Sequence, residues 1–357
     1  MPERIVIKAG SNVLTRDDGK LDITRMSALV DQIAWLRGRG CEVILVSSGA
    51  VACGRGLVKP SRKLDSVGQR QLYSAVGQAK LMNLYYDLFR DYGIPVGQVL
   101  TMKENFASRR DYLNQRACMA VMLDNGVIPI VNENDTVSIT ELMFTDNDEL
   151  AGLIASMMDA SALVILSNVD GIYDGPPADP SSRLIARVER GADPSRYVSR
   201  VKSGFGRGGM STKCKIARMV ADEGIRVIIA DGRRPDVLID LMTRPGDTPH
   251  TEFVAAEKPV SDVKKWIAHS GSFAKGAVTV SRAAAEALRG GEAASLLPVG
   301  VTAVEGDFCE GDIISIVCEG GVRIAIGRAS CGSAEARAAM GCHGGRPVVH
   351  YDYMYME

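Results

Sequence analysis

No apolar run in the sequence approaches the ~18–20 residues of a membrane-spanning helix. The opening MPERIVIKAG has no signal-peptide h-region and passes at once into a strand-like run. No C-x-x-C occurs, and the eight cysteines, at 41, 53, 118, 214, 309, 318, 331 and 342, are scattered. That is the usage of reduced thiols, not of a disulfide framework. These absences lead to the expectation of a cytoplasmic protein with no membrane partner. Cys342-His343 could be half of a metal site, but no second half follows at a ligand spacing, and ordinary packing is the simpler reading. An excess of one charge is missing too: 42 Lys and Arg stand against 43 Asp and Glu, a net charge of −1. The overall balance therefore makes no general case for nucleic acid or a membrane surface as partner. The sequence contains no G-x-x-x-x-G-K-[ST] and no H-R-D or D-F-G set, which excludes a P-loop enzyme and a protein kinase. Internal repeats and low-complexity segments are also absent.

What is present describes a soluble α/β protein. Apolar residues make up 46% and charged residues 24% of 357 positions, enough chain for two domains. Over the first ~250 residues, apolar runs alternate with amphipathic patterns, which predicts strands joined by helices around a largely parallel sheet. The strands are expected at 4–10, 41–49, 95–101, 127–132, 162–168 and 226–232, several of them near-continuous Val/Ile/Leu. Helices are expected over 23–40, 65–92 and 111–126, closed by Gly40, Gly93 and Gly126. The composition changes near 253–270. Beyond it, short β-like runs with Gly-rich turns (AVTVS, SLLPVGVTAVEG, DIISIV, VRIAIGRAS) and one helix (AAAEALRGG) predict a small β-rich unit. The boundaries read as a catalytic domain over 1–255, a linker over 256–272 and a second domain over 273–352.

Ligands of open parallel sheets bind beyond the carboxyl ends of the strands. There the sequence collects Lys8-Ala9-Gly10-Ser11-Asn12, Ser47-Ser48-Gly49, Asn132-Glu133-Asn134-Asp135, Thr145-Asp146-Asn147-Asp148 and Ser167-Asn168-Val169-Asp170. Singly these are turns, a helix cap and a solvated lysine. Five together at one edge point to a site. The stretch SGFGRGGMSTK at 203–213 adds bare backbone and a lysine at a helix start, the makings of a phosphate cradle. It also fits G-x-G-x-x-G at Gly204, Gly206 and Gly209. A dinucleotide fingerprint, however, belongs in the first βαβ turn, and this one follows five predicted strands. Lys8 and Lys213 could neutralise phosphates while an acidic residue positions Mg2+ or the lysines. Phosphoryl transfer asks for that positioning and electrostatics more than for covalent help. None of the four histidines (250, 269, 343, 350) lies in these motifs.

VIKAGSNVLT, VSSGAVACGRG, VNENDTV, TDNDELAGLIA and GRGGMSTKCKIA stand in the order seen in the amino acid kinase family, which the chain resembles. SLLPVGVTAVEGDFCEGDIISI resembles a PUA domain, as carried by bacterial members that phosphorylate glutamate. Together the two resemblances cover nearly the whole chain. They imply an αβα sandwich with a mainly parallel central sheet, followed by a β-rich PUA-like domain. They imply ATP and Mg2+ as cofactors, and phosphorylation of the γ-carboxylate of L-glutamate as the first step of proline biosynthesis. By position, Lys8 matches the ATP-contacting lysine, and Asp148 the acidic residue that organises the lysines. Ser48, Asp135 and Asn147 match the glutamate-binding positions. Ser167 and Asn168 match the nucleotide contacts after the fifth strand. Arg207, Gly208, Gly209, Met210, Ser211, Thr212 and Lys213 match the nucleotide loop, with Lys213 reaching the phosphates. The family often has Thr-Asp where this chain has Ser167-Asn168, and a small residue where it has Arg207.

The resemblance further implies proline as a feedback inhibitor, a dimer or tetramer, and a transient contact with glutamyl phosphate reductase, because the acyl phosphate product is labile. The residues alone leave aspartate, N-acetylglutamate or a nucleotide open as acceptor. PUA domains often bind RNA. Residues 271–357, however, hold seven Lys and Arg against ten Asp and Glu. An RNA binder that relies on phosphate neutralisation would be basic, so a stabilising or regulatory role is the expectation for this unit.

Overall fold

The structure is a computed structural model that describes residues 3–138, 144, 146–190, 192, 209–257, 262–290 and 293–356. It separates into two compact units, one of residues 1–103 and 113–259, the other of residues 104–112 and 260–357.

The first unit is built on β1 (Arg4–Ala9), β2 (Glu42–Ser47), β3 (Val96–Thr101), β4 (Ile128–Glu133), β5 (Ala162–Ser167), β6 (Arg187–Val188), β7 (Arg226–Asp231) and β8 (His250–Phe253). All six strands expected from the apolar runs are present. Their order in the sheet is β3-β4-β2-β1-β5-β7-β8-β6. Every pairing from β3 to β7 is parallel, and only β7 and β8 run antiparallel. The two-residue β6 and the four-residue β8 are too short to show a pattern in the sequence.

The helices named here are α1 (Ser11–Leu14), α2 (Ile23–Gly38), α3 (Ala50–Leu57), α4 (Ser66–Arg90), α5 (Glu104–Ala107), α6 (Arg109–Asp124), α7 (Asn147–Met157), α8 (Met210–Asp222) and α9 (Val237–Thr243). Strand side chains alternate between faces. Ile5, Ile7 and Ala9 of β1 join Leu45 of β2 and Val164 of β5 in a core closed by Ile33 of α2, Leu81 and Tyr85 of α4 and Leu238 of α9. The opposite face, onto which Val6 and Lys8 project, is covered by α7 against β1 and β5 and by α8 against β7. A mainly parallel sheet between two helical layers results, as the near-continuous aliphatic strands require.

Two glycine contacts set helix spacing near the carboxyl edge. A Cβ on Gly77 of α4 would stand 1.8 Å from the Ala50 carbonyl, and one on Gly54 of α3 would stand 1.9 Å from the Tyr73 carbonyl. Helices α3 and α4 therefore meet backbone to backbone.

The second unit holds β9 (Gly276–Val280), β10 (Val301–Gly306), β11 (Ile313–Cys318), β12 (Arg323–Arg328) and β13 (Met354–Met356), in the order β10-β9-β11-β12-β13. Helices α10 (Asp262–His269), α11 (Arg282–Arg289) and α12 (Ser333–Ala339) belong to it, with α5 and the start of α6. Its core gathers Val278, Ile314, Ile316, Ala325 and Val349. Among the described residues no helix is long and apolar enough to cross a membrane, and all eight cysteines are free.

Candidate active site

Strand β1 is the switch point of the main sheet: β2 lies on one side of it and β5 on the other. Connections leave in opposite directions there, and a crevice opens beyond the carboxyl ends. A cleft of about 1040 Å3 occupies that position, lined by Lys8, Ser48, Asp135, Asn147, Asp148, Ser167, Asn168, Gly209, Met210 and Lys213 among others. Single-ligand pockets commonly occupy ~300–1,000 Å3, so this one has room for two small substrates.

Lys8 is the penultimate residue of β1, and strand alternation turns it toward α7. Asp146 caps that helix, its Oδ1 accepting from the backbone N–H groups of Asp148 and Glu149. The cap places Asp148 in the first turn, facing the sheet. Lys8 Nζ lies 2.7 Å from Asp148 Oδ1, and Lys213 Nζ lies 2.9 Å from Asp148 Oδ2. Lys213 arrives from the first turn of α8. Gly152 makes this approach close, since a Cβ there would stand 2.7 Å from Ile216 Cγ2. Asp148 is fully buried. Burial pushes its carboxyl up, but Lys8 and Lys213 pull it further down, to about 2. Burial acts against the Lys213 ammonium, yet Asp148 holds its pKa above the ordinary lysine value. Asp146, buried and beside the Asp148 charge, is pushed up to about 6. Its Oδ2 is buried without a hydrogen-bond partner among the described residues.

On the β2/β4 side of β1, one amide ties the strand ends together. Asn147 Nδ2 lies 2.9 Å from Ser48 Oγ, 3.1 Å from Asn132 Oδ1 and 3.2 Å from the Ser47 carbonyl, a donor shared among three acceptors. Asn132 donates onward to Gln78 Oε1 at 3.0 Å. Asp135 stands next to Arg70 of α4, which also reaches Glu133 at 2.8 Å. Burial raises the pKa of both Asp135 and Glu133.

On the β5/β7 side, Ser167 ends β5 and Asn168 follows. The Asn168 carbonyl accepts from Arg233 at 2.6 Å. The N-terminus of α8 has Gly209 as cap residue and no side-chain cap hydrogen bond. Among the described residues no side chain competes for its first amides, an arrangement that suits an anion.

Of the residues expected to bind nucleotide, Ser211 and Thr212 lie in the same turn of α8 but off the cleft lining. Arg207 and Gly208 lie outside the described residues, as do Thr145 and most of the glycine stretch. Arg70 and Tyr173 also line the cleft, and neither belongs to a motif named above. Tyr173 follows the fifth-strand motif by only three residues, and its hydroxyl meets Asp170 at 3.2 Å. Arg70 carried no local signal, because a charge inside a long helix normally marks a solvated face. Among the described residues no group of three or more His, Cys, Asp or Glu could hold a metal ion, and Cys342-His343 accordingly belongs to none.

An open α/β sheet whose switch-point crevice carries two lysines on one buried carboxylate, beside a helix N-terminus with no side-chain cap among the described residues, has the chemistry of an anion-binding protein. The particular kind follows from its relatives: residues 3–231 match the amino acid kinase family, and the chain belongs to that family. Residues 276–350 match the PUA domain. A protein named glutamate 5-kinase from Bacteroides thetaiotaomicron is 63% identical over 99% of this chain and 98% of its own. Proteins of the same name from Chlorobaculum tepidum and Chromohalobacter salexigens are 48% and 41% identical, over 99% and 95% of this chain and 97% and 89% of theirs.

Proposed function

We propose that the protein transfers the γ-phosphoryl group of ATP to the γ-carboxylate of L-glutamate, giving γ-glutamyl phosphate and ADP in the cytoplasm as the first step of proline biosynthesis. The observation that carries this reading is the Lys8–Asp148–Lys213 arrangement above β1, between the two halves of the cleft. The β2/β4 half, with Ser48, Asn147 and Asp135, takes the amino acid. The β5/β7 half, with Ser167, Asn168 and the Gly209–Lys213 turn, takes the nucleotide, together with Arg207 and Gly208. Residues 1–255 are then the catalytic domain and residues 273–352 the PUA-like domain.

A γ-carboxylate oxygen attacks the γ-phosphorus, and the bond from phosphorus to the β,γ-bridging oxygen breaks. The nucleophile is already ionised at neutral pH, since Glu side chains titrate near ~4.3, so no base is required and no proton moves. The difficulty is electrostatic, because an anion must approach an anion. Lys8 and Lys213 lower that repulsion. Asp148, held ionised near 2, keeps both ammonium groups charged and aimed. Mg2+ supplies further neutralisation when bound with the ATP phosphates. Asp146 Oδ2, a hard oxygen buried without a hydrogen-bond partner among the described residues, would help to hold such an ion. The acyl phosphate product hydrolyses readily, which favours its direct passage to glutamyl phosphate reductase. A dimer or tetramer and inhibition by proline belong to the same reading.

The test is ADP release from Mg-ATP with glutamate, aspartate, N-acetylglutamate and UMP offered in turn. Glutamate is expected to give the highest kcat/KM by orders of magnitude. A higher value with another acceptor would replace this assignment.

A further inference from the structure

Arg70 belongs to none of the family motifs in the sequence, yet it stands inside the cleft beside a residue expected to grip substrate. Its guanidinium lies between two carboxylates: Glu133 at 2.8 Å and Asp135 in closer contact. The three side chains are 15%, 6% and 11% exposed, so the group is largely withdrawn from water while all three members line the cleft. Glu133 is anchored from behind, its Oε1 accepting from the Phe144 N–H at 3.1 Å. Asp135 lies just beyond the end of β4. Among the described residues, one buried cation thus faces both anions, and no second cation is paired with either. A free α-amino acid end supplies that cation together with an anion for the guanidinium.

We propose that Arg70 is the specificity-determining residue for the α-carboxylate of the acceptor: it keeps Glu133, releases Asp135 to the substrate's α-ammonium, and takes the substrate's α-carboxylate in the vacated position. This rests on the glutamate reading above and adds how the end remote from the chemistry is recognised. Each cation then keeps a carboxylate partner, and no bond is made or broken. A guanidinium suits this exchange because its planar fork binds two carboxylates at once. An acceptor lacking the α-carboxylate leaves Arg70 on Asp135, which costs the ammonium its partner.

The experiment compares wild type with Arg70→Gln and Arg70→Lys in the full-length chain. KM and kcat are measured for L-glutamate. Inhibition constants against it are measured for 4-aminobutyrate, which keeps the amine and the reacting carboxylate and lacks only the α-carboxylate. A hydrogen bond to a charged group is worth ~1.5–3 kcal/mol, or roughly 10–150-fold. Arg70→Gln should raise KM for glutamate by that factor, leave kcat within a few-fold, and leave the 4-aminobutyrate constant unchanged or lower. Arg70→Lys, which keeps the charge between Glu133 and Asp135 and so protects folding, should raise KM by a smaller factor with the same split. An unchanged glutamate KM would overturn the proposal. So would an equal weakening of glutamate and 4-aminobutyrate, because Arg70 would then merely position Asp135. The reaction itself is judged separately by wild-type ADP release. If that fails, thermal protection of wild type by glutamate but not by 4-aminobutyrate, lost in Arg70→Gln, would still support the subsite. Protection equal for the two compounds would remove it.

Discussion

Lys213 reaches its place because α8 begins where the glycine stretch ends, and its ammonium shares the Asp148 carboxylate with Lys8. Removing it leaves one lysine facing all the negative charge of the reacting groups. Lys213→Ala should lower kcat by ~10²–10³-fold, in line with loss of one preorganised stabiliser, while KM for glutamate changes little; steady-state kinetics checks both. Asp148→Asn acts on stability as well as rate. Its folded pKa, about 2, lies below the ordinary carboxylate value despite burial, because Lys8 and Lys213 favour the ion. A depressed acid contributes stability in full above the unfolded pKa of ~3.9 and loses it as pH falls through the folded value. The variant should therefore be less stable than wild type at pH 7, by about 3–5 kcal/mol for a broken buried pair. The gap should narrow between pH 4 and 2, as urea unfolding at several pH values would show. These three residues were legible in the sequence because each ends or begins a recognisable local pattern. Their convergence on one carboxylate followed from the family resemblance and not from any local pattern, since Lys8 and Asp148 lie 140 positions apart in the chain and the sheet order brings them together. Arg70 was illegible for the complementary reason: nothing near it in sequence marks it, and its partners come from β4 and the turn beyond.

Elements were legible in proportion to their length. The six long parallel strands and the helices of α2, α4 and α6 carry enough turns of period to stand out. The seven residues of α12, the three of β13 and the four of β8 do not, because their placement depends on neighbours that the local pattern cannot name. The short α3 is an instructive case. It is preceded by the cap residue Gly49, whose φ of 110° lies in the left-handed region, and it packs on α4 through Gly54 and Gly77. That contact fixes both Ser48 at its front and Arg70 on the helix behind. Gly77→Ala would bring a methyl group to 1.8 Å from the Ala50 carbonyl, so the two helices must part. Overpacking of this kind costs ~1–3 kcal/mol. The accompanying shift should raise KM for glutamate more than KM for ATP, because the proposed acceptor half of the cleft is the half built on α3 and α4. Thermal unfolding and the two KM values test this. An equal rise in both would show that the helix pair supports the whole cleft.

At the scale of the whole molecule, the change of composition near 253–270 announced a second unit, and the family likeness of residues 276–350 to the PUA domain agrees. What composition could not show is that residues 104–112, from the middle of the first ~250, cluster with that second unit. The reason is visible in side chains. Trp266 of α10 donates its Nε1–H to the Phe106 carbonyl at 2.8 Å. The Arg109 guanidinium lies over the rings of both Tyr112 and Trp266, and Phe106 and Tyr112 meet edge to face. Phe106 and Tyr112 are 1% and 3% exposed. A chain ended at Pro259 would retain every residue that lines the cleft but lose Trp266, uncovering two aromatic rings. Apolar burial is worth ~25 cal/mol per Å2, and an uncovered aromatic pair is also a surface for association. The truncated protein should therefore unfold at a lower temperature and aggregate on standing, while freshly prepared material keeps kcat within a few-fold of the full chain. Full-length Trp266→Ala should lower the unfolding temperature in the same direction, by a share of the ~3–5 kcal/mol that loss of a buried Trp costs, with kcat again preserved. If truncation abolished turnover in a protein that stayed folded and monodisperse, the C-terminal unit would have to act on the chemistry itself, and a purely stabilising role for residues 260–357 would be wrong.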